Sequence, residues 1–200
     1  GLSGNLRTKK ISNSGVLIAR NSAIEMAIND GCTHLCFIDD DDILLPGSIS
    51  KIAECIRSFQ QNTWFIFASK KQDSPSVSWP YEIIEMSWFN DIVVKRLLGS
   101  DNLVVVSVNL VGDVRFSTRG RNQREWKFFL KLCSKNDRVL VLPNILLEKN
   151  YLADGLTAQT QRQRYKPEQI LNSAERAFSY WLLRPTSPKL LVQAIKQIVT

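Results

Sequence analysis

Four consecutive carboxylates, Asp39-Asp40-Asp41-Asp42, are the strongest chemical signal in the chain. Like charges this close repel one another, so the run calls for full solvation or for a cation. It follows an apolar stretch, Leu35-Cys36-Phe37-Ile38, and precedes Pro46-Gly47-Ser48, which reads as a helix start. Carboxylates at the carboxyl end of a buried strand stand where open α/β sheets gather their ligands. A hard divalent metal, which takes oxygen ligands, is the first candidate for that place. A solvated acidic loop is the alternative that the run by itself leaves open.

The flanking segments say which elements must hold the run. Ala19-Arg20-Asn21 opens a helix whose apolar stripe is Ala23, Ile24, Ala27 and Ile28, with Asn29-Asp30-Gly31 as its stop. Residues 33–38 follow as a strand. A second helix starts at Pro46 or Ser48 and carries Ile49, Ile52, Ala53, Ile56 and Phe59 on one face. Residues 64–68 form a continuous apolar run of strand length. Helix–strand–helix–strand in this order predicts an α/β fold with a mixed, mostly parallel sheet flanked by helices.

Beyond it, residues 69–80 carry turn formers, and 82–98 suit one or two short helices. A Val-rich strand spans 102–111. A Gly- and Arg-rich loop over 117–122 leads into a helix over 123–134, with Trp126, Phe129, Leu130 and Cys133 at helical spacing. Short strands at 139–142 and 145–147 flank Pro143-Asn144. Helical pattern returns from 167 to about 183, breaks at Arg184-Pro185-Thr186-Ser187-Pro188, and resumes in a short amphipathic C-terminal segment.

Composition narrows the classes. Two hundred residues suffice for one core-bearing domain or most of one, and 44% hydrophobic with 22% charged residues is ordinary globular content. No apolar run is long enough to span a bilayer, and the first residues carry no signal-peptide pattern, so a cytoplasmic protein is expected. The net charge is +7, and beyond residue 160 Arg162, Arg164, Lys166, Arg176, Arg184, Lys189 and Lys196 face only Glu168 and Glu175. That excess suits phosphate-bearing partners, or peripheral contact with the inner face of an anionic membrane; ordinary packing of a C-terminal helix pair is the competing expectation. No nucleic-acid recognition motif accompanies the charge. Cys32, Cys36, Cys55 and Cys133 lack zinc spacing, and His34, the sole histidine, falls inside a strand as a structural residue. Free buried thiols in a reducing compartment are expected.

Taken together, several motifs resemble family 2 glycosyltransferases of the GT-A fold. Ala19-Arg20-Asn21 resembles the family's "ARN" helix start, and Asp39 to Asp42 followed by Pro46 resembles its "DxDD" metal motif. Farther on, Phe116, a loop and Arg124-Glu125-Trp126 resemble its "EDW" helix start, while 139–151 with Gly155-Leu156-Thr157 resembles its closing strands and turn. The resemblance covers roughly residues 12–160, all in the family's order. It implies a GT-A-like, Rossmann-like domain over 1–160 with a helical extension over 161–200. The family's first strands, which hold base and ribose, have no counterpart before Gly15, so an N-terminally truncated domain is expected.

Residue by residue, the resemblance implies that Asp39 and Asp41 hold Mn²⁺ or Mg²⁺, which grips the diphosphate of a UDP- or other nucleotide-sugar. Arg20, Asn21, Asp40 and Asp42 fall on the donor side, to bind the donor and its diphosphate, with Asp40 as the variable position of the run. Glu125 occupies the place of the general base that deprotonates the acceptor hydroxyl in inverting transfer. Two departures accompany it: Glu replaces Asp, and Arg124 beside it is expected to lower its basicity. Trp126 is expected to pack rather than stack on an acceptor. Asp154 is the nearest substitute for a late metal-site histidine. The implied partners are a nucleotide-sugar and a saccharide or lipid-linked acceptor, with no nucleic acid. Two other functions remain open, a nucleotidyl- or phosphotransferase and a degenerate saccharide-binding protein without turnover.

Overall fold

The structure is a computed structural model that describes residues 7–12, 15–71, 79–99, 102–118, 124–150 and 167–183, with Pro185, Ser187, Pro188 and Val192 beyond them. In chain order the elements are α1 (Val16–Asn29), β1 (His34–Cys36), β2 (Ile43–Leu44), α2 (Ser48–Ser58), β3 (Trp64–Lys71) and β4 (Ile84–Ser87). A π-helical turn (Trp88–Val94), β5 (Leu103–Ser107), α3 (Val108–Val111), α4 (Glu125–Lys135), β6 (Arg138–Lys149) and α5 (Pro167–Leu183) complete them. Asp154 and Gly155-Leu156-Thr157 lie outside the described residues, as does most of the chain after Leu183. No described helix is long and apolar enough to cross a membrane.

Continuous apolar runs form the sheet centre because both of its faces are covered. On β3, Trp64 and Ile66 point into one core layer while Phe65 and Phe67 point into the other. β6 repeats the alternation, with Val139 and Val141 on the first side and Leu140 and Leu142 on the second. The first layer is closed by Leu17 and Ile24 of α1, Phe128 and Leu132 of α4, and Trp88 and Phe89 of the π-helical turn. Cys55 of α2, with partly buried Ile52, Ile56 and Phe59, closes the second. Ile49, placed on the buried stripe by its spacing, is instead exposed, because Ser48 takes the inward position and donates to the Leu146 carbonyl at 2.8 Å.

The mixed, helix-flanked sheet agrees with expectation, but it is not mostly parallel. Its order is β1-β5-β3-β6-β2, with β4 also on β6. Among the described pairings only β3–β6 is parallel. The helical crossovers do make β1 and β3 run the same way. However, β5 inserts between them and pairs antiparallel with both, which no local pattern announces.

Four local expectations also change. The first helix starts at Val16, capped by Gly15 at φ 96°, so Arg20 and Asn21 sit inside the helix rather than at its start. Residues 84–87, expected as helix, form an edge strand along β6, because Trp88 N–H bonds to the Asp137 carbonyl and anchors the turn that follows. The Val-rich strand stops at Ser107, whose side chain caps α3 by accepting from Leu110 N–H. Finally, 138–149 is one strand rather than two. Its register against β3 slips on either side of Ala68, where β6 passes through Pro143-Asn144. Such bulges bend and re-aim a strand, and the far end of β6 then pairs with β2 beside the Asp run.

Candidate active site

The Asp run leaves β1 as a turn, closed by Asp42 N–H to the Asp39 carbonyl at 3.1 Å. One ligand oxygen each from Asp39, Asp41 and Asp42 lies within 4.8 Å of the others. Hard oxygen donors gathered this closely suit, in their chemistry, a hard divalent cation that takes oxygen ligands. The turn directs Asp40 elsewhere; it is exposed and outside this cluster.

Arg20 ties the cluster to the rest of the site. Helical spacing sets Arg20 on the α1 face that also carries the buried Leu17 and Ile24. Its side chain is therefore only 16% exposed, and its head reaches the strand end. Nη2 meets Asp39 Oδ1 at 2.6 Å, while Nη1 meets Glu125 Oε1 at 2.6 Å. The guanidinium carbon lies 5.8 Å from the Phe37 ring centre and 5.7 Å from that of Phe116. Those rings meet edge to face at 5.3 Å, and Phe116 stacks on Phe128 at 4.1 Å. A guanidinium against aromatic rings is favourable and restricted in position. Residues distant in sequence, Asp39 and Glu125, thus share one cation on an aromatic platform.

Glu125 lies in the first turn of α4, where the helix dipole favours its charge. The expected influence of Arg124 on it does not occur through an ion pair. Arg124 turns instead to Glu175 on α5, at 3.2 Å, and Lys127 joins the same carboxylate. Arg20 is the cation that meets Glu125. Trp126 packs as expected, 8% exposed, its indole N–H donating to Asn172 Oδ1 and its ring edge-on to Tyr180.

Asn21 is close to the site but points at the backbone. Its Nδ2 donates to the Phe116 carbonyl at 3.0 Å and its Oδ1 accepts from Phe116 N–H at 2.8 Å. It pins the segment that supplies the second ring beneath Arg20. His34 serves as a strand residue, its ring 6.0 Å from that of Phe65, and burial holds its pKa below the usual value.

Two neighbours of the cluster escaped the sequence reading. Lys149 Nζ lies 2.7 Å from Asp42 Oδ2, and Asn150 Nδ2 donates to the Asp41 carbonyl at 2.9 Å. Both follow from the β2–β6 pairing, and a two-residue strand inside what reads as a helix approach gives no periodic signal.

No protein-family model matches the sequence, and no curated protein does. Among solved structures the chain is similar to S. aureus TarS 1-349, a glycosyltransferase, with a TM-score of 0.58 and 16% identity, over 94% of this chain and 61% of that one. It is also similar to TarS 1-349 in complex with UDP-GlcNAc (TM-score 0.61, 14% identity, 94% of this chain and 61% of that one). A third match is the same protein in complex with UDP (TM-score 0.56, 13% identity, 95% and 70%). The likeness, at 13–16% identity, is one of fold. The chain spans about 61% of the length of the first of these structures.

Proposed function

We propose that the chain is a metal-dependent, inverting glycosyltransferase that moves a sugar from a nucleotide-sugar to a hydroxyl of a saccharide or lipid-linked acceptor. The observation that carries this reading is the single guanidinium of Arg20 joining the Asp39 carboxylate to Glu125. It sets a carboxylate cluster suited to a hard cation beside a lone carboxylate suited to accept a proton. The fold likeness to TarS structures, two of them in complex with UDP-GlcNAc or UDP, supports a UDP-sugar as donor.

In this reading Asp39 and Asp41 hold Mn²⁺ or Mg²⁺, and Asp42, beside them, orients the site. The cation supplies positive charge against the diphosphate that leaves with the nucleoside. Arg20 holds Glu125 by Oε1, and Oε2 is assigned to the acceptor proton. The Phe37–Phe116 platform fixes Arg20, and Asn21 fixes the platform. Asp40, exposed beside the cluster, is left to outer donor contacts. The basic excess beyond residue 160 supports contact with an anionic membrane surface bearing a lipid-linked acceptor.

One specific observation favours a second reading. The Arg20–Glu125 ion pair engages the carboxylate at 2.6 Å, and a carboxylate held by a guanidinium in the absence of substrate suits a protein that binds nucleotide or saccharide without turnover. Incubation of the chain with UDP-sugars, Mn²⁺ and oligosaccharide acceptors separates the two. Transfer product should form, and Glu125→Gln should lower turnover by about 10²–10⁴-fold, the usual share of a general base, while UDP binding by calorimetry is kept. UDP binding without product in any combination supports the second reading. Pyrophosphate release from a nucleoside triphosphate overturns both in favour of a nucleotidyltransferase.

A further inference from the structure

Lys149 has no part in the reaction as derived above, yet it holds the Asp42 carboxylate of the cluster, whose side chain is only 2% exposed. The antiparallel pairs Ile43↔Glu148 and Leu44↔Leu147 set the register of β2 on β6. Continued one place toward the acid turn, that register sets Lys149 opposite Asp42, and one place farther Asn150 opposite Asp41. The side chains follow it, with Lys149 Nζ 2.7 Å from Asp42 Oδ2 and Asn150 Nδ2 on the Asp41 carbonyl. The Asp42 side chain is 2% exposed and that of Lys149 16%, against 47% for Asp39. The ammonium lies off the direction that a hydrogen bond to Oδ2 requires, so the contact is charge on charge. A carboxylate this far from water requires a counter-charge, and Lys149 is its partner.

We propose that Lys149 is a positioning residue of the cation site: it commits Asp42 to itself and leaves Asp39 and Asp41 as the carboxylates that meet the cation. The inference rests on the glycosyltransferase reading of the site. Two carboxylates leave a small hard cation with positions open for phosphate oxygens, whereas three would hold it more tightly and close some of them. Arg20 and Lys149 also offset two of the three negative charges in the cluster, so an anionic diphosphate meets a site of nearly balanced charge. Removal of Lys149 should therefore move two affinities in opposite directions. The cation binds tighter and the diphosphate weaker. Simple loss of packing would weaken both.

The test uses the whole chain, with Mn²⁺ alone titrated by electron paramagnetic resonance and UDP titrated by calorimetry at saturating Mn²⁺. Lys149→Met should bind Mn²⁺ about tenfold tighter and UDP about tenfold weaker, as loss of one near charge in a partly solvated site implies. Lys149→Arg should restore both affinities. Lys149→Met/Asp42→Asn, which removes both charges of the pair, should leave Mn²⁺ affinity within about twofold, since the net charge is unchanged and Asp42 is not the carboxylate that meets the cation. Equal or weaker Mn²⁺ binding by a folded Lys149→Met protein overturns the proposal. If circular dichroism shows that Lys149→Met does not fold, the double variant decides alone, and a loss of about tenfold or more in its Mn²⁺ affinity overturns the proposal. Absence of Mn²⁺ binding to the unaltered chain is a separate outcome: it removes the cation reading itself, and this proposal with it.

Discussion

Along β3, Trp64, Phe65, Ile66 and Phe67 are each no more than 2% exposed, whereas at the acidic edge Asp39, in the turn after β1, and Glu125, at the start of α4, keep almost half of their side-chain surface in water. The sheet centre is held by apolar surface removed from solvent, at about 25 cal/mol per Å². The acidic edge is held by charge pairs, Arg20 with Asp39 and Glu125, and Lys149 with Asp42. The partly exposed pairs of Arg20 with Asp39 and Glu125 contribute about 1 kcal/mol or less each. The contrast separates two tasks. The centre stabilises the fold, and the edge spends little stability to hold charged groups where they can meet a ligand.

The sharpest way to break that contrast is to damage the centre and read the edge. Phe67 is fully buried in the layer covered by α2, away from the Phe37–Phe116–Phe128 platform. Phe67→Ala should cost about 3–5 kcal/mol in urea unfolding, the usual range for a large aromatic truncated to a cavity. Under conditions where the variant remains folded, its Mn²⁺ affinity should equal that of the unaltered chain. A parallel fall in Mn²⁺ affinity would mean that the centre shapes the cluster directly, and the separation would fail.

Asn21 sharpens the comparison because it joins the two regions. It sits on α1 and binds both backbone groups of Phe116. Asn21→Ala leaves that N–H and carbonyl without their side-chain partner, at a cost of about 1–3 kcal/mol. The loosened segment carries the ring beneath Arg20, so turnover should fall with little change in Mn²⁺ affinity, since Asp39 and Asp41 are untouched. Unchanged stability and unchanged turnover together would show that the platform is held from its far side, by Phe128.

The same contrast explains what was legible in the sequence. Trp64 to Ala68 announces a buried strand because every residue in it faces a covered layer. The Asp run draws notice because so many adjacent carboxylates demand a reason, and three of them do gather in one cluster. The insertion of β5 between β1 and β3 was not legible, because strand order depends on pairing between segments far apart in the chain. Lys149 and Asn150 were hidden for a related reason, since their role exists only through the two-residue strand β2. Arg20 was legible as a site residue through its motif, but its bond to Glu125 was not. Sequence neighbours pointed to Arg124, which the α4–α5 packing draws away to Glu175.

Thiol chemistry gives the smallest change and a direct view of the boundary between the two regions. Cys36 ends β1, three positions before Asp39, and burial pushes its thiol up to about 12. Burial, helped by the hydrogen bond to Asp137, does the same at Cys133, also to about 12, and burial raises Cys55. Cys32 differs from the expected buried thiols, because the turn after α1 leaves it exposed. Protonated thiols are poor nucleophiles, so a disulfide reagent at pH 8 should label Cys32 fast and the other three slowly. Raising the pH to 9 should leave the fast set unchanged, since Cys36 and Cys133 ionise well above that window. Phe67→Ala should speed all three slow thiols by a common factor, as global opening becomes more frequent. Arg20→Met, which cuts two of the three ion pairs named at the edge, should leave the slow rates as they were. Fast labelling of Cys36 alone in Arg20→Met would show that the ion pairs hold down the end of β1, and that the edge carries part of the fold after all.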